Sequence, residues 1–234
     1  MNQTEQKIYD NYRRVVERVE HAAVNANRDP HSVTIVGVTK YVEPELARML
    51  FQAGCHHLGE SRPQVLLEKQ QALSDLPIHW HMIGHLQRNK VKRVIPDLEM
   101  VHSLDSIRLA ETIDNVASQL SQRVPVLLEV NISGDDAKHG FHPDELSERA
   151  DELQPFKNLE VRGLMGMAGL SADDSSIRSQ FQCLRALRDS INEATHLEWE
   201  LSELSMGMSG DFELAIAEGA TLVRIGSMLF DGVL

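Results

Sequence analysis

Eight short apolar runs recur along the chain, and this recurrence constrains the fold more than any other feature. In order they are "VTIVGV", "HLG", "WHMIG", "MVHSL", "VPVLLEVNI", "VRGLMGM", "ELSMG" and "TLVRIG". Stretches with helical periodicity separate them, among them "EPELARMLFQAG", "SRPQVLLEKQQAL", "DSIRLAETIDNVASQL", "PDELSERADEL" and "IRSQFQCLRALRDSINEA". Eight strand-then-helix units at a spacing of about 25 residues predict a (β/α)8 TIM barrel. A doubly wound open sheet is the alternative, because periodicity does not reveal closure. An opening helix over roughly residues 4–26 carries Ile8, Tyr12, Val15, Val16 and Val19 at helical spacing. No proline-rich or low-complexity linker interrupts the pattern. One domain over residues 1–234 is expected, with residues 1–30 an added N-terminal helix packing on the barrel.

The net charge of −12 argues against nonspecific binding to nucleic acid or to an anionic membrane surface. No apolar run reaches the length of a membrane span, and "MNQTEQKIYD" lacks the character of a signal peptide. Cys55 and Cys183 offer neither a disulfide framework nor a zinc pattern and are expected as half-buried free thiols. A cytoplasmic location follows as the expectation, as does a monomer, since no second domain is present.

In a barrel of this type the chemistry sits in the loops after the strands. The residues there are Lys40, Glu60 and Ser61, Gly84 and His85, Ser103 and Asp105, Asn131 and Ser133, Met165 and Met167, Ser205 to Ser209, and Gly226 with Ser227. One lysine stands among small hydroxyl and amide groups. Lys40 either snorkels to solvent where its strand stops or acts as a nucleophilic amine. Ser205, Gly207 and Ser209, with Gly226 and Ser227, occur at two strand-to-helix junctions where phosphate is often bound. Taken singly these residues also suit plain caps and turns. Arg224 lies between Val223 and Ile225, so strand alternation turns it to the opposite face. It then needs either an ion-pair partner, such as Glu129 or Glu203, or a ligand. An amine, a phosphate cradle and a fixed cation together suit pyridoxal 5'-phosphate held as a Schiff base. An arginine at the pyridine nitrogen cannot give up its proton, so it would leave the ring a weak electron sink.

The motifs "VTK", "WHMIGHLQRNK", "NISGDDAKHG", "RGLMGM", "LSMGMSGDFELAI" and "VRIGSMLF", in this order between about residues 33 and 231, resemble the YggS/PROSC family of pyridoxal-phosphate-binding proteins. That family is similar in fold to the N-terminal barrel of alanine racemase. The resemblance implies that Lys40 is the Schiff-base lysine, that Ser205, Gly226 and Ser227 hold the phosphate, and that Arg224 faces the pyridine nitrogen. Ser61, His81, Met165, Gly207 and Met208 complete the expected cofactor-binding set, although the methionines also suit plain packing. The family usually has Gly-Glu-Asn after strand two, where this chain has Gly59-Glu60-Ser61, and Ser61 lacks the amide. Ser227 replaces a common threonine, and Thr39 a frequent serine.

Other readings compete. His79, His81 and His85 invite a metal, but no acidic or cysteine partner stands at a supporting spacing, so no metal is expected. The basic segment "LQRNKVKR" reads as a solvated helix face. Racemisation in the alanine racemase manner needs a second base, there a tyrosine from another domain. Tyr41 adjoins Lys40 and should point to the other face. The expectation is therefore a noncatalytic protein of intracellular pyridoxal phosphate homeostasis, with pyridoxal-phosphate-dependent apoenzymes as possible recipients. A weak amino-acid racemase and a Schiff-base aldolase acting on a phosphorylated sugar are the alternatives.

Overall fold

A computed structural model describes residues 1–135, 139–169, 172–194 and 199–234. The eight expected runs form β1 (Thr34–Val38), β2 (His57–Glu60), β3 (His79–Met82), β4 (Met100–Leu104), β5 (Val124–Val130), β6 (Leu159–Gly166), β7 (Glu203–Met208) and β8 (Leu222–Ile225). All neighbours pair in parallel, and β8 returns to β1 with Val36 opposite Arg224. The sheet is thus closed, and the open-sheet alternative falls. The helices are α1 (Gln3–Asn25), α2 (Pro44–Gln52), α3 (Pro63–Ala72), α4 (Val91–Val94), α5 (Ile107–Gln119), α6 (Pro143–Arg149), α7 (Asp174–Glu193) and α8 (Phe212–Ala217), and a 3-10 turn over Ser227–Phe230 follows β8. Proline in the first turn starts α2, α3 and α6, where its missing N–H has no intrahelical partner to lose.

Alternation along each strand sorts the side chains into two environments. Leu58, Trp80, Met82, Val126, Leu164, Leu204, Val223 and Ile225 pack into one continuous core with the buried helix faces. Met100, Leu127 and Met165, joined by Met167, form a separate small cluster within the barrel. The remaining interior is polar and holds His81, His102, Glu129, Ser205 and Arg224, all buried. The "LQRNKVKR" segment is only partly a solvated face, because its Leu86 and Val91 are buried.

α1 begins with a capping box between Asn2 and Glu5 and buries Ile8, Val15, Val19, Ala22 and Ala23. Asn11, buried on the same face, donates to the carbonyls of Leu229 at 3.2 Å and Asp231 at 2.9 Å. The first helix is thereby tied to the last turn.

Close strand packing depends on Gly163. A Cβ there would stand 1.9 Å from the Glu203 carbonyl oxygen of the paired strand. Gly163→Ala is expected to destabilise by about 3 kcal/mol, the upper end for overpacking, as read by urea unfolding.

Candidate functional site

The C-terminal ends of the strands surround a cavity of about 540 Å³. That volume lies within the range of small-molecule and cofactor sites. Lys40, Ser61, Met208, Arg224, Gly226 and Ser227 all line it, joined by Ser209 and Gly210 from the turn after β7. Val38, Val42, Ile83, Met167 and Phe230 supply apolar walls. Four of the expected site residues, His81, Met165, Ser205 and Gly207, do not reach this lining.

Gly207 points away. It has φ +93°, and a Cβ there would meet the Ala215 Cβ at 2.6 Å, so it seats α8 against β7. Met165 packs with Met100 and Leu127 inside the barrel. Ser205 is fully buried beneath the cavity, and its Oγ is engaged by Arg224 Nη1 at 2.6 Å and by His102 Nδ1 at 2.9 Å. A register irregularity between Ser205 and Met208 carries the strand past strict alternation, which puts Ser209 rather than Ser205 at the cavity. Ser209 Oγ accepts from the Gly226 N–H at 3.2 Å and so joins the two junctions. The backbone N–H groups of Ser209, Gly210 and Ser227 make no hydrogen bond to the described residues.

Arg224 makes no ion pair within 4 Å among the described residues. Its Nη1 donates to the Ser205 carbonyl at 2.7 Å as well as to Oγ, and Nη2 donates to the Gly166 carbonyl at 3.0 Å. The expected partners lie elsewhere: Glu203 accepts from Thr221, and Glu129 acts on Arg224 only through its field. Burial lowers the Arg224 pKa to about 10, against the opposing fields of Glu129 and Asp211, so it stays charged near neutral pH. Burial first, then the Asp105 charge, pushes the Glu129 carboxyl up to about 7.

Beneath Arg224 runs a file of imidazoles. His102 Nε2 meets His81 Nδ1 at 2.9 Å, and His81 Nε2 meets His57 Nδ1 at 3.0 Å. His57 stacks on His79 at the opposite end of the barrel. Burial brings the His81 pKa down to about 3 and holds His102 well below the usual imidazole value. Both are therefore neutral near pH 7. His102 was not legible as functional in "MVHSL", although alternation with Met100 would have turned it inward.

These shifts set a pH dependence. As the pH falls below about 6.5 the unfolded chain protonates His81 and His102, which burial keeps neutral in the folded chain. Glu129 works the other way, because burial raises its carboxyl and the folded state holds a proton that the unfolded state has lost. Two imidazoles against one carboxyl make stability fall on acidification between about pH 6.5 and 5. His57, also lowered by burial, adds to the loss. Urea unfolding at pH 6.5 and 5.0 should show this fall, and His102→Gln should reduce it.

Lys40 sits in the turn two residues past β1, half-buried, and among the described residues its Nζ makes no hydrogen bond or ion pair. The Nζ lies 4.9 Å from the centroid of the Tyr41 ring. The expectation that Tyr41 turns away from Lys40 is therefore not met: β1 ends at Val38, so strand alternation no longer applies. Behind this turn, Thr39 is fixed by a buried ion pair. Lys69 Nζ donates to Glu60 Oε1 at 2.5 Å and to the Thr39 carbonyl at 2.6 Å, while Thr39 Oγ1 donates to the same carboxylate oxygen at 2.6 Å. Glu60, expected at the rim, is thus turned outward against α3. The thiols also divide, with Cys55 buried and pushed up to about 12 and Cys183 exposed.

Comparison with known proteins fits this geometry. Residues 5–232 match the family described as alanine racemase, N-terminal domain. The chain is 40% identical over 217 residues to a pyridoxal phosphate homeostasis protein of Aquifex aeolicus, covering 93% of this chain and 94% of the relative. It is 37% identical over 223 residues to the protein of the same name from Pseudomonas aeruginosa, covering 95% and 94%. Among solved structures, PipY of Synechococcus elongatus with PLP bound superposes with a TM-score of 0.81 at 33% identity, over 92% of this chain and 99% of that one. An alanine racemase of Clostridium difficile shares the fold at 17% identity with a TM-score of 0.74, over 94% of this chain and 56% of that one. This chain belongs to the pyridoxal phosphate homeostasis protein family, built on the alanine racemase N-terminal barrel.

Proposed function

We propose that this protein binds pyridoxal 5'-phosphate in the cavity at the barrel mouth, held covalently through Lys40, and serves intracellular homeostasis of that cofactor without sustained turnover. One observation carries the reading: an unpaired lysine amine, a buried guanidinium and two glycine–serine turns line a single cavity of suitable volume. PipY, matched over 99% of its own chain, has PLP bound. The residues present fit the cofactor. Ser209, Gly210, Gly226 and Ser227 offer hydroxyl and backbone donors to a phosphate, a role moved here from Ser205 to Ser209. Ile83, Met167 and Met208 provide apolar surface for a ring, and Ser61 adds a polar edge.

When bound, the cofactor supplies an aldehyde to an amine and a ring able to withdraw electrons. Arg224 limits the second property. A guanidinium that keeps its proton does not protonate a ring nitrogen set against it, so the site favours holding the cofactor over stabilising a carbanion. Ser205 and His102 are positioning residues that keep the guanidinium in place. No copy of the chain beyond the first is needed to complete the lining, so the reading is of a monomer. Unpaired thiols suit the reducing cytoplasm in which pyridoxal-phosphate-dependent apoenzymes would receive the cofactor.

Incubation of the cofactor-loaded protein with L-alanine tests the noncatalytic part. No D-alanine above the protein-free rate is expected by chiral chromatography, and sustained conversion would overturn it. Tyr41 beside the Lys40 amine is the observation that favours the weak-racemase alternative. If conversion occurs and Tyr41→Phe removes it, that alternative stands.

A further inference from the structure

The loops after β3, β4 and β5 bring His85, Asp105 and His139 together at the rim of the barrel mouth. One nitrogen or oxygen from each lies within 4.8 Å of the other two. His85 Nδ1 and Asp105 Oδ2 are 2.8 Å apart, and the His85 and His139 rings stack with centroids 4.4 Å apart at 16°. Asp105 is held from behind, because its Oδ1 accepts from the Ser106 hydroxyl at 3.0 Å and its side chain is only 10% exposed. His139 is placed by the residues that follow it, since the Phe141 N–H donates to the Glu129 carbonyl at 2.8 Å and the Asn131 N–H to the Phe141 carbonyl at 2.9 Å. The set thus combines one oriented carboxylate with two half-free imidazoles.

Sequence spacing does not reveal this arrangement. The acidic partner of His85 is 20 residues away and the second imidazole is 54 residues away, so only barrel closure joins them. Among the described residues, the other histidine–carboxylate pairs, His31–Glu20, His79–Glu99 and His142–Asp144, gain no third ligand.

We propose that His85, Asp105 and His139 form a binding site for a first-row divalent cation of the zinc class. Two imidazoles and a carboxylate are the donor set such ions take, and three protein ligands leave a coordination position open. Bonds of about 2.0–2.1 Å around a tetrahedral ion place its ligands closer together than the largest separation here, so the exposed imidazoles swing inward on binding. Ser106 is the outer partner that keeps the carboxylate aimed. Gly84, immediately before His85, lines the cavity, so the open position lies beside the mouth of the cofactor site. The proposal rests on these three side chains and stands whether or not the cavity holds a cofactor.

Calorimetric titration of the chelator-treated, purified protein with Zn2+ tests it, with Co2+ absorption as a second probe of the ligand set. One Zn2+ per chain with micromolar or tighter affinity is expected. His85→Ala and His139→Ala should each weaken it by roughly tenfold or more, and Asp105→Asn similarly. His79→Ala, at the far end of the barrel, should leave it unchanged. Circular dichroism and thermal unfolding confirm that the variants remain folded, as both imidazoles are exposed. Absence of binding at these concentrations, or stoichiometric binding that survives the His85→Ala/His139→Ala double substitution, would overturn the proposal.

Discussion

Lys40→Ala is expected to abolish the visible absorption band of the cofactor-loaded protein and to eliminate the pyridoxyl adduct otherwise trapped on residue 40 by borohydride. The loss should be complete, since among the described residues no other lysine lines the cavity. Stability should change by less than about 0.5 kcal/mol, because among the described residues the Lys40 Nζ makes no hydrogen bond or ion pair. Peptide mass mapping after reduction provides the measurement. An adduct on any lysine other than Lys40, or one retained by the variant, would refute covalent attachment at this position. Residual noncovalent binding by Lys40→Ala is consistent with the proposal, because the serine–glycine turns and Arg224 are untouched. Arg224→Ala should weaken that remainder and also unfold more easily, since it strips the Ser205 and Gly166 carbonyls of their donor.

The second large effect falls on stability. Lys69→Met should cost about 3–5 kcal/mol, the usual result of leaving a buried charge without its partner. Lys69 is 3% exposed and Glu60 0%, and one Glu60 oxygen already lacks a hydrogen-bond partner among the described residues. Removing the ammonium takes away the countercharge, leaves Thr39 Oγ1 as the carboxylate's one donor among the described residues, and frees the Thr39 carbonyl that anchors the Lys40 turn. For a chain of this length the melting temperature should fall by about 10 °C. The double substitution Glu60→Leu/Lys69→Met should recover most of the loss, since well-packed apolar groups replace such pairs at little cost. A change below about 1 kcal/mol in Lys69→Met would show that the pair contributes nothing. If cofactor retention also declines in the single variant, the ion pair serves the site as well as the fold.

How much of this was legible depends on whether a residue's neighbours are set by periodicity or by closure. The eight strands were legible because short apolar runs bounded by turn residues have few other uses. Lys40 and Arg224 could be placed at strand ends from alternation alone. Ser205 and Ser209 could not be told apart, because the irregularity after Ser205 shifts the face that each presents. Tyr41 was misjudged for a related reason, as the strand stops three residues before it. Glu60 was expected at the rim, and nothing in its nine-residue separation from Lys69 announces that α3 folds that amine back onto β2. His85, Asp105 and His139 belong to three separate loops, and only the three-dimensional closure of the sheet brings such residues into reach. The centre of "NISGDDAKHG", residues 136–138, lies outside the described residues.

The imidazole file has a sense as well as a length. A guanidinium can only donate, so Ser205 Oγ accepts from Arg224, which favours the array in which the Ser205 hydroxyl donates to His102 Nδ1. His102 must then carry its proton on Nε2 and give it to His81 Nδ1, and His81 repeats the step toward His57 Nδ1. One cation at the mouth thereby biases the tautomers of three rings toward a common sense along the barrel axis. A carboxylate in place of Arg224 would reverse every one of them. Nitrogen-15 resonances of His57, at the opposite opening, would then report on a residue they never touch.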